Sequence, residues 1–77
     1  MKLPKVTAAE IITIIEKIGF SLSRQSGSHK IFKNNEGKRV TIPYHTGKTL
    51  HPKILSSILQ DSGLTAERFH ELKSGKK

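Results

Sequence analysis

The alternation of apolar and polar residues is clearest in residues 20–42, FSLSRQSGSHKIFKNNEGKRVTI. Phe20 and Leu22 alternate with serines there, a spacing that is typical of a strand with one buried face. We expect this first strand to run to about Gln25, because the Ser-Gly pair that follows favours a break. The pattern predicts that Leu22 is buried on the same face as Phe20.

A second strand is predicted for residues 28–33, where two large apolar side chains are adjacent. Ile31 and Phe32 must point to opposite faces of a sheet, because successive residues of a strand alternate. His29 then shares a face with Ile31. The pattern leaves open which of the two faces is the buried one.

A hairpin connects this strand to a third one. Residues 34–37, Asn-Asn-Glu-Gly, are of the types that tolerate positive φ in turns. In residues 38–42, Val40 and Ile42 share one face. We expect residues 43–48 to form a loop, because Pro43 has no N–H group for a central ladder and a further glycine follows.

An amphipathic helix precedes the strands. Thr7 and Glu10 have the spacing of a capping box, in which each side chain satisfies a free N–H group at a helix start. Gly19 is of the type that ends a helix. Between Glu10 and Gly19, apolar residues recur at spacings of three and four, at Ile11, Ile14, Ile15 and Ile18.

A second helix follows the strands, with Pro52 in its first turn and a stop at residues 61–63. Its apolar stripe consists of Ile54, Leu55, Ile58 and Leu59, and a short third helix would carry Leu64, Phe69 and Leu72. The predicted fold class is α+β: a three-stranded antiparallel sheet covered on one face by two helices, in the order αβββα, plus a short C-terminal helix. We expect a single domain over residues 1–77.

Positive charge is the strongest compositional signal. Lys and Arg exceed Asp and Glu by 14 to 6, which gives a net charge of +8, and residues 24–53 hold seven of these cations against Glu36 alone. Such a field attracts polyanions, and nucleic acid is the partner class it favours most. A solvated sheet face whose lysines keep an edge strand soluble would carry the same residue types.

A membrane partner is the weaker interpretation of this charge. No apolar run approaches the roughly 18 residues of a membrane span. The first residues, Met1 to Lys5, lack the apolar stretch of a secretory signal. We therefore expect a cytoplasmic protein with no membrane partner.

His29 is the catalytic candidate, at the entry to a strand beside Gly27 and Ser28. Imidazole can accept and return a proton near neutral pH. RNA carries its own nucleophile, the 2′-hydroxyl, so a base beside a phosphate held by cations could break the backbone without a metal. The plain alternative is a strand histidine that hydrogen-bonds to a neighbour. His45 is a second candidate, as a proton donor or a phosphate contact.

The sequence offers no set of metal ligands and no cofactor motif. Glu36 is the only acid in the basic segment, and the four histidines lack zinc-ligand spacing. Nucleotide-binding loops, nucleophile elbows and paired-histidine zinc motifs are missing from the printed sequence. We therefore expect no metal and no cofactor. His51, which precedes a proline, and His70 are not catalytic candidates.

Two segments carry a family resemblance: RQSGSHKIF at residues 24–32 and VTIPYH at residues 40–45. Together with residues 50–63, which look like a closing helix, they resemble the HicA (YcfA-like) toxin family over roughly residues 6–72. The sequence departs from many relatives at Lys53, where a small residue or glycine usually follows the proline. The departure lies outside the Gly-Ser-His triplet.

The resemblance implies a fold similar to double-stranded-RNA-binding domains and a toxin that cleaves messenger RNA until a HicB-like antitoxin covers it. The catalytic histidine of the family falls on His29, with Gly27 and Ser28 as its flanking positions. The predicted function is thus a metal-independent endoribonuclease toxin that acts on mRNA, with His29 as general acid or base. Its expected phosphate contacts are Lys30, Lys33, Lys38, Arg39, Lys48 and His45.

Two alternatives from other functional classes stay open. A non-catalytic module for double-stranded or structured RNA would use the same cations to bind without cleavage. A DNA-binding regulator would need a recognition helix with polar, base-reading side chains, and neither predicted long helix has one. Cleavage of RNA but not of matched DNA would support the endoribonuclease toxin over these two alternatives.

Overall fold

The computed structural model describes residues 5–45 and 48–73. Its strands form one antiparallel sheet in the order β1-β2-β3. The predicted α+β order, with three strands between two helices and a short helix at the end, is confirmed. The elements are α1 (Ala8–Lys17), β1 (Ser21–Ser26), β2 (His29–Lys33), β3 (Arg39–Pro43), α2 (Pro52–Ser62) and α3 (Ala66–Lys73).

Helix α1 begins with the predicted capping box. The Glu10 N–H donates to Thr7 Oγ1 over 3.2 Å, and the Thr7 N–H donates to Glu10 Oε1 over 2.9 Å. That second bond holds the pKa of the Glu10 carboxyl below its usual value, because the carboxylate is the better acceptor. Ile11, Ile14 and Ile15 are buried, so the predicted apolar face of the helix is confirmed.

The core lies between the helices and one face of the sheet. Phe32 of β2 is opposite Val40 of β3, and both side chains are buried, as is Ile42. Helix α2 packs on β3, while α1 contacts both β3 and α3. The largest fully buried side chains are Phe32, Phe69, Ile11, Ile15, Ile42, Leu55, Ile58, Val6 and Val40.

We call the side of the sheet opposite the core the open face. It carries the strand residues that alternate with the buried ones. Because Phe32 points to the helices, its neighbours Ile31 and Lys33 point away from them. The register places the same side of β1 and β3 beside them. The side chains of the open face are those of Ser21, Arg24, Ser26, His29, Ile31, Lys33, Arg39, Thr41 and Pro43.

The prediction that Leu22 is buried is wrong. All six residues of β1 are exposed, and Leu22 retains 50% of its accessible surface. Leu22 lies opposite Phe32 and therefore on the helix side, but the helices pack on β3, at the other edge of the sheet. Strand β1 thus extends past the core, and only Phe20, just before the strand, is buried.

Two further expectations need correction. Pro43 belongs to β3 rather than to a loop; as the last residue of an edge strand it leaves no central ladder incomplete. The ladder continues past it, because the Tyr44 N–H donates to the Ser28 carbonyl over 2.6 Å. Ile54, predicted in the buried stripe of α2, is 39% exposed, because it lines an open groove at the start of that helix.

Candidate nucleic-acid interface

His29 is the first residue of β2 and is exposed on the open face. It lies opposite Ser26 on β1 and opposite Pro43 on β3. Gly27 and Ser28 form the two-residue connection that precedes it, and Gly27 has φ +58°, a conformation that favours glycine. The two residues predicted to support His29 thus form the turn that immediately precedes the start of β2.

Three cations share the open face with His29. Lys33 and Arg39 are direct cross-strand neighbours, and Arg24 lies opposite Ile31, one row nearer to His29. Arg24 reaches this face through an irregularity in β1: Ser23 has no partner on β2, so the alternation of the strand is reset between Leu22 and Arg24. Every other side chain of the open face is neutral or basic, so no carboxylate is there to balance the cations.

The three cations border one small pocket. It has a volume of about 90 Å³, and we call it the bulge pocket; it is lined by Ser23, Arg24, Ile31, Lys33 and Arg39. Lys33 and Arg39 were predicted as phosphate contacts, and the structure brings them together. Arg24 was missing from that prediction, and simple alternation along β1 would place it on the same face as Leu22.

Two other predicted contacts lie elsewhere. Lys30 is half-buried on the helix side of β2, with its Nζ 4.1 Å from the centroid of the Tyr44 ring. Lys38 lies beside Gly63, at the C-terminal end of α2, and its Nζ is 3.9 Å from a Glu36 carboxylate oxygen. Both lysines thus have interactions of their own on the side of the sheet away from His29.

A larger groove begins beside His29. Its volume is about 240 Å³, and we call it the β3–α2 groove; it is lined by Pro43, His45, Lys48, Thr49, Leu50, His51 and Ile54. His45 and Lys48, the remaining predicted contacts, are exposed in its walls. Pro43, opposite His29 in the sheet, forms its near end. Residues 46 and 47 of the predicted loop lie outside the described residues.

His51, which the sequence placed beside the start of α2 and outside the catalytic candidates, is itself the N-cap of that helix. Its Nδ1 accepts the Lys53 N–H over 3.1 Å. A neutral imidazole with an accepting Nδ1 carries its proton on Nε2, so the ring offers the groove a donor. The only signal for this was a polar residue immediately before Pro52 at a helix start.

Residues 5–45 and 48–73 contain no group of three or more His, Cys, Asp or Glu side chains placed to hold a metal ion. In the same part of the chain, none of the helices has the length and apolar character that a membrane crossing requires.

The fold and this site define a class of small basic α+β proteins in which helices cover one face of a three-stranded sheet and cations gather on the other. The chain belongs to the HicA toxin family of bacterial toxin-antitoxin systems, whose family model matches residues 8–64, from the start of α1 to just beyond α2. The resemblance stated from the sequence is confirmed, and the protein is the toxin component of such a system. A comparison with curated proteins gave no match.

Proposed function

We propose that this toxin is a metal-independent endoribonuclease that cleaves mRNA, with His29 as its general acid and base. One observation carries the proposal: His29 is exposed on a sheet face that holds three cations and no carboxylate. A polyanion can approach such a face from solvent, and the cations on the face would bind phosphates of the strand that reaches the imidazole.

The chemistry needs only a proton acceptor and charge stabilisation. His29 would remove the proton of a ribose 2′-hydroxyl, whose oxygen attacks the adjacent phosphorus. The bond from phosphorus to the 5′ oxygen then breaks, and the imidazolium returns a proton to that oxygen. The products are a 2′,3′-cyclic phosphate and a 5′-hydroxyl end. DNA has no 2′-hydroxyl and would not react.

A second function, binding of structured RNA without cleavage, is favoured by a different observation. Among the described residues, no side chain donates to or accepts from the imidazole of His29, so none orients it for catalysis. Catalytic histidines are commonly held by a second group. The same cations would then serve binding alone.

The test compares wild type with His29→Ala and His29→Gln on end-labelled RNA and on DNA of the same sequence, in EDTA. We expect the wild type to cleave only RNA, and both variants to lose about 10²–10⁴-fold in rate, the usual contribution of a general acid or base. Equal binding with no cleavage by any of the three proteins would instead support the non-catalytic module. Equal cleavage by all three would remove His29 from the mechanism.

The family implies an antitoxin partner for this function, and the positive charge indicates the chemistry of the surface that would bind it. We infer that a HicB-like antitoxin presents acidic side chains to the open face, replacing RNA phosphates, and that both proteins meet in the cytoplasm. Association of such surfaces weakens with added salt. An affinity that stays constant from low to high ionic strength would contradict this assignment.

A further inference from the structure

The bulge pocket combines features that a strand pairing alone does not require. Lys33 and Arg39 are directly opposite each other in the β2–β3 ladder, and like charges in that relation destabilise a sheet. Arg24 adds a third positive charge to the same pocket. In the described part of the chain none of the three forms an ion pair; the salt bridges there join Lys38 to Glu36 and Arg68 to Glu71.

The pocket owes its third cation to the irregularity at Ser23. With regular pairing, Leu22 and Arg24 would point to the same side, and Arg24 would face the helices. The extra residue reverses this, so that Arg24 lies opposite Ile31 on the open face. Bulges commonly re-aim a side chain in this way near functional sites. The result is a pocket of about 90 Å³ that is lined by three cationic side chains and by Ser23 and Ile31.

We propose that the bulge pocket is a subsite for a backbone phosphate of RNA, distinct from the phosphate that is cleaved beside His29. The assignment of the anion to RNA rests on the proposed function, whereas the anion site itself does not. Ile31 and Lys33 in the pocket are two and four residues beyond His29 along β2. At about 3.3 Å per residue, these positions are about 7 and 13 Å from the His29 position.

This separation determines what the subsite does. The pocket lies two to four residues along β2 from His29, so the phosphate that it holds is a neighbouring one of the strand rather than the one against the imidazole. Its contacts are then the same before and during cleavage. Interactions of that kind tighten substrate binding and leave the chemical step unchanged. The pocket therefore acts on KM, and His29 acts on kcat.

The first measurement uses a probe that cannot be cleaved, a 2′-O-methyl RNA oligonucleotide. We expect Arg24→Gln, Lys33→Gln and Arg39→Gln each to weaken its binding about two- to fivefold, the range of an exposed ion pair. Lys17→Gln is the matched control, because Lys17 is an exposed lysine in the last turn of α1, on the helix side. Unchanged binding in Lys33→Gln and Arg39→Gln, or an equal loss in Lys17→Gln, would overturn the proposal.

The second measurement uses inorganic phosphate alone. At constant ionic strength, replacing chloride by phosphate should raise the melting temperature of the wild type by a saturable amount beyond the general stabilisation that phosphate gives proteins, and this saturable part should vanish in Lys33→Gln. In chloride, Lys33→Gln should melt no lower than the wild type, because it relieves repulsion from Arg39. A lower melting temperature would show that the cations stabilise the fold, against the proposal.

Cleavage kinetics distinguish failure of the subsite from failure of the proposed function. With a cleavable RNA, Lys33→Gln should raise KM and keep kcat, whereas His29→Ala should lower kcat. If no protein cleaves RNA but phosphate still protects the wild type and not Lys33→Gln, the anion site stands and the nuclease assignment fails. If His29→Ala abolishes cleavage while Lys33→Gln keeps both constants, the nuclease stands and the subsite fails.

Discussion

His29 and Pro43 lie opposite each other in the β2–β3 ladder, and Pro43 also forms the near end of the β3–α2 groove. This pair joins the two regions that hold the candidate residues. On one side of it is the open face with its cations, and on the other is the groove with His45 and Lys48. An RNA strand bound as proposed at His29 would therefore lie beside both.

The turn before His29 gives a first prediction. Gly27 has φ +58°, and a Cβ at this position would meet no atom within 4 Å, so Gly27→Ala should destabilise the protein through backbone strain alone. We expect a loss of about 1–2 kcal/mol, measured by urea denaturation. Gly27→Asn is the control, because asparagine tolerates this conformation better, and it should lose less. Equal midpoints for wild type and Gly27→Ala would contradict the prediction.

The capping box of α1 predicts a pH dependence. The Thr7 N–H lowers the pKa of Glu10 in the folded protein below its ordinary value of 4.5. A carboxyl with a lowered pKa stabilises the fold above its unfolded pKa and loses this contribution as the pH falls through its folded pKa. The stability difference between wild type and Glu10→Gln should therefore be largest above about pH 5 and shrink on acidification.

Thermal unfolding from pH 7 to pH 3 would measure that difference. Thr7→Ala serves as the comparison, since it removes the hydroxyl that caps Glu10 N–H but keeps the Thr7 N–H bond to the carboxylate. It should lose about 1 kcal/mol. A difference between wild type and Glu10→Gln that grows at low pH would have the wrong sign for this explanation.

His51 predicts a structural effect separate from RNA binding. Because its Nδ1 accepts the Lys53 N–H over 3.1 Å, His51→Ala should destabilise the protein by about 1 kcal/mol, as is typical for loss of an N-cap. His51→Asn supplies another capping acceptor and should restore most of the stability. Circular dichroism melts of the three proteins test this. If asparagine is no better than alanine, the cap is not what His51 contributes.

Lys30 and Lys33 both belong to β2 but lie on opposite faces of the sheet, and their substitutions have opposite expected effects. Lys30 lies over the Tyr44 ring at 4.1 Å from its centroid, so Lys30→Gln should destabilise the protein by about 0.5–1 kcal/mol. The affinity of Lys30→Gln for RNA should stay within about twofold of the wild type, because Lys30 lies on the helix side of the sheet. A double-mutant cycle with Tyr44→Leu measures the contact. A loss of affinity in Lys30→Gln as large as in Lys33→Gln would contradict this division.

Salt dependence gives the last prediction. If Lys33 and Arg39 together neutralise the one RNA phosphate in the bulge pocket, removing both should reduce the slope of log affinity against log salt by about 0.7, the value for one phosphate of a single strand. The slope of Lys17→Gln should equal that of the wild type. A slope unchanged by the double substitution would mean that these cations do not contact phosphates.

The sequence predicted those parts of the structure that depend on local pattern. Thr7 and Glu10 form their box, and Val40 and Ile42 share the buried face, because spacing along one chain segment determines both. Which face of β2 is buried could not be predicted, since Ile31 and Phe32 are equally apolar neighbours. Packing against the helices selects Phe32.

Which side chains form the site was predictable only in part, because the face on which a strand residue lies depends on its packing and pairing. Arg24 points to the open face because Ser23 has no partner on β2, and an irregularity of that kind depends on the neighbouring strand rather than on β1 itself. Lys30 and Lys38 lie in the basic segment, yet alternation and the position of α2 put them away from His29. Charge counted along a sequence does not say on which side of a sheet it lies.

The confinement of the core to one side of the sheet has an evolutionary consequence. In β2 and β3, side chains that hold the protein together alternate with side chains that meet solvent, and the two sets have few constraints in common. Mutations in the outward set can change what this face binds, while the inward set keeps the chain folded. Toxin and antitoxin pairs can thus diverge in specificity without either having to rebuild its scaffold.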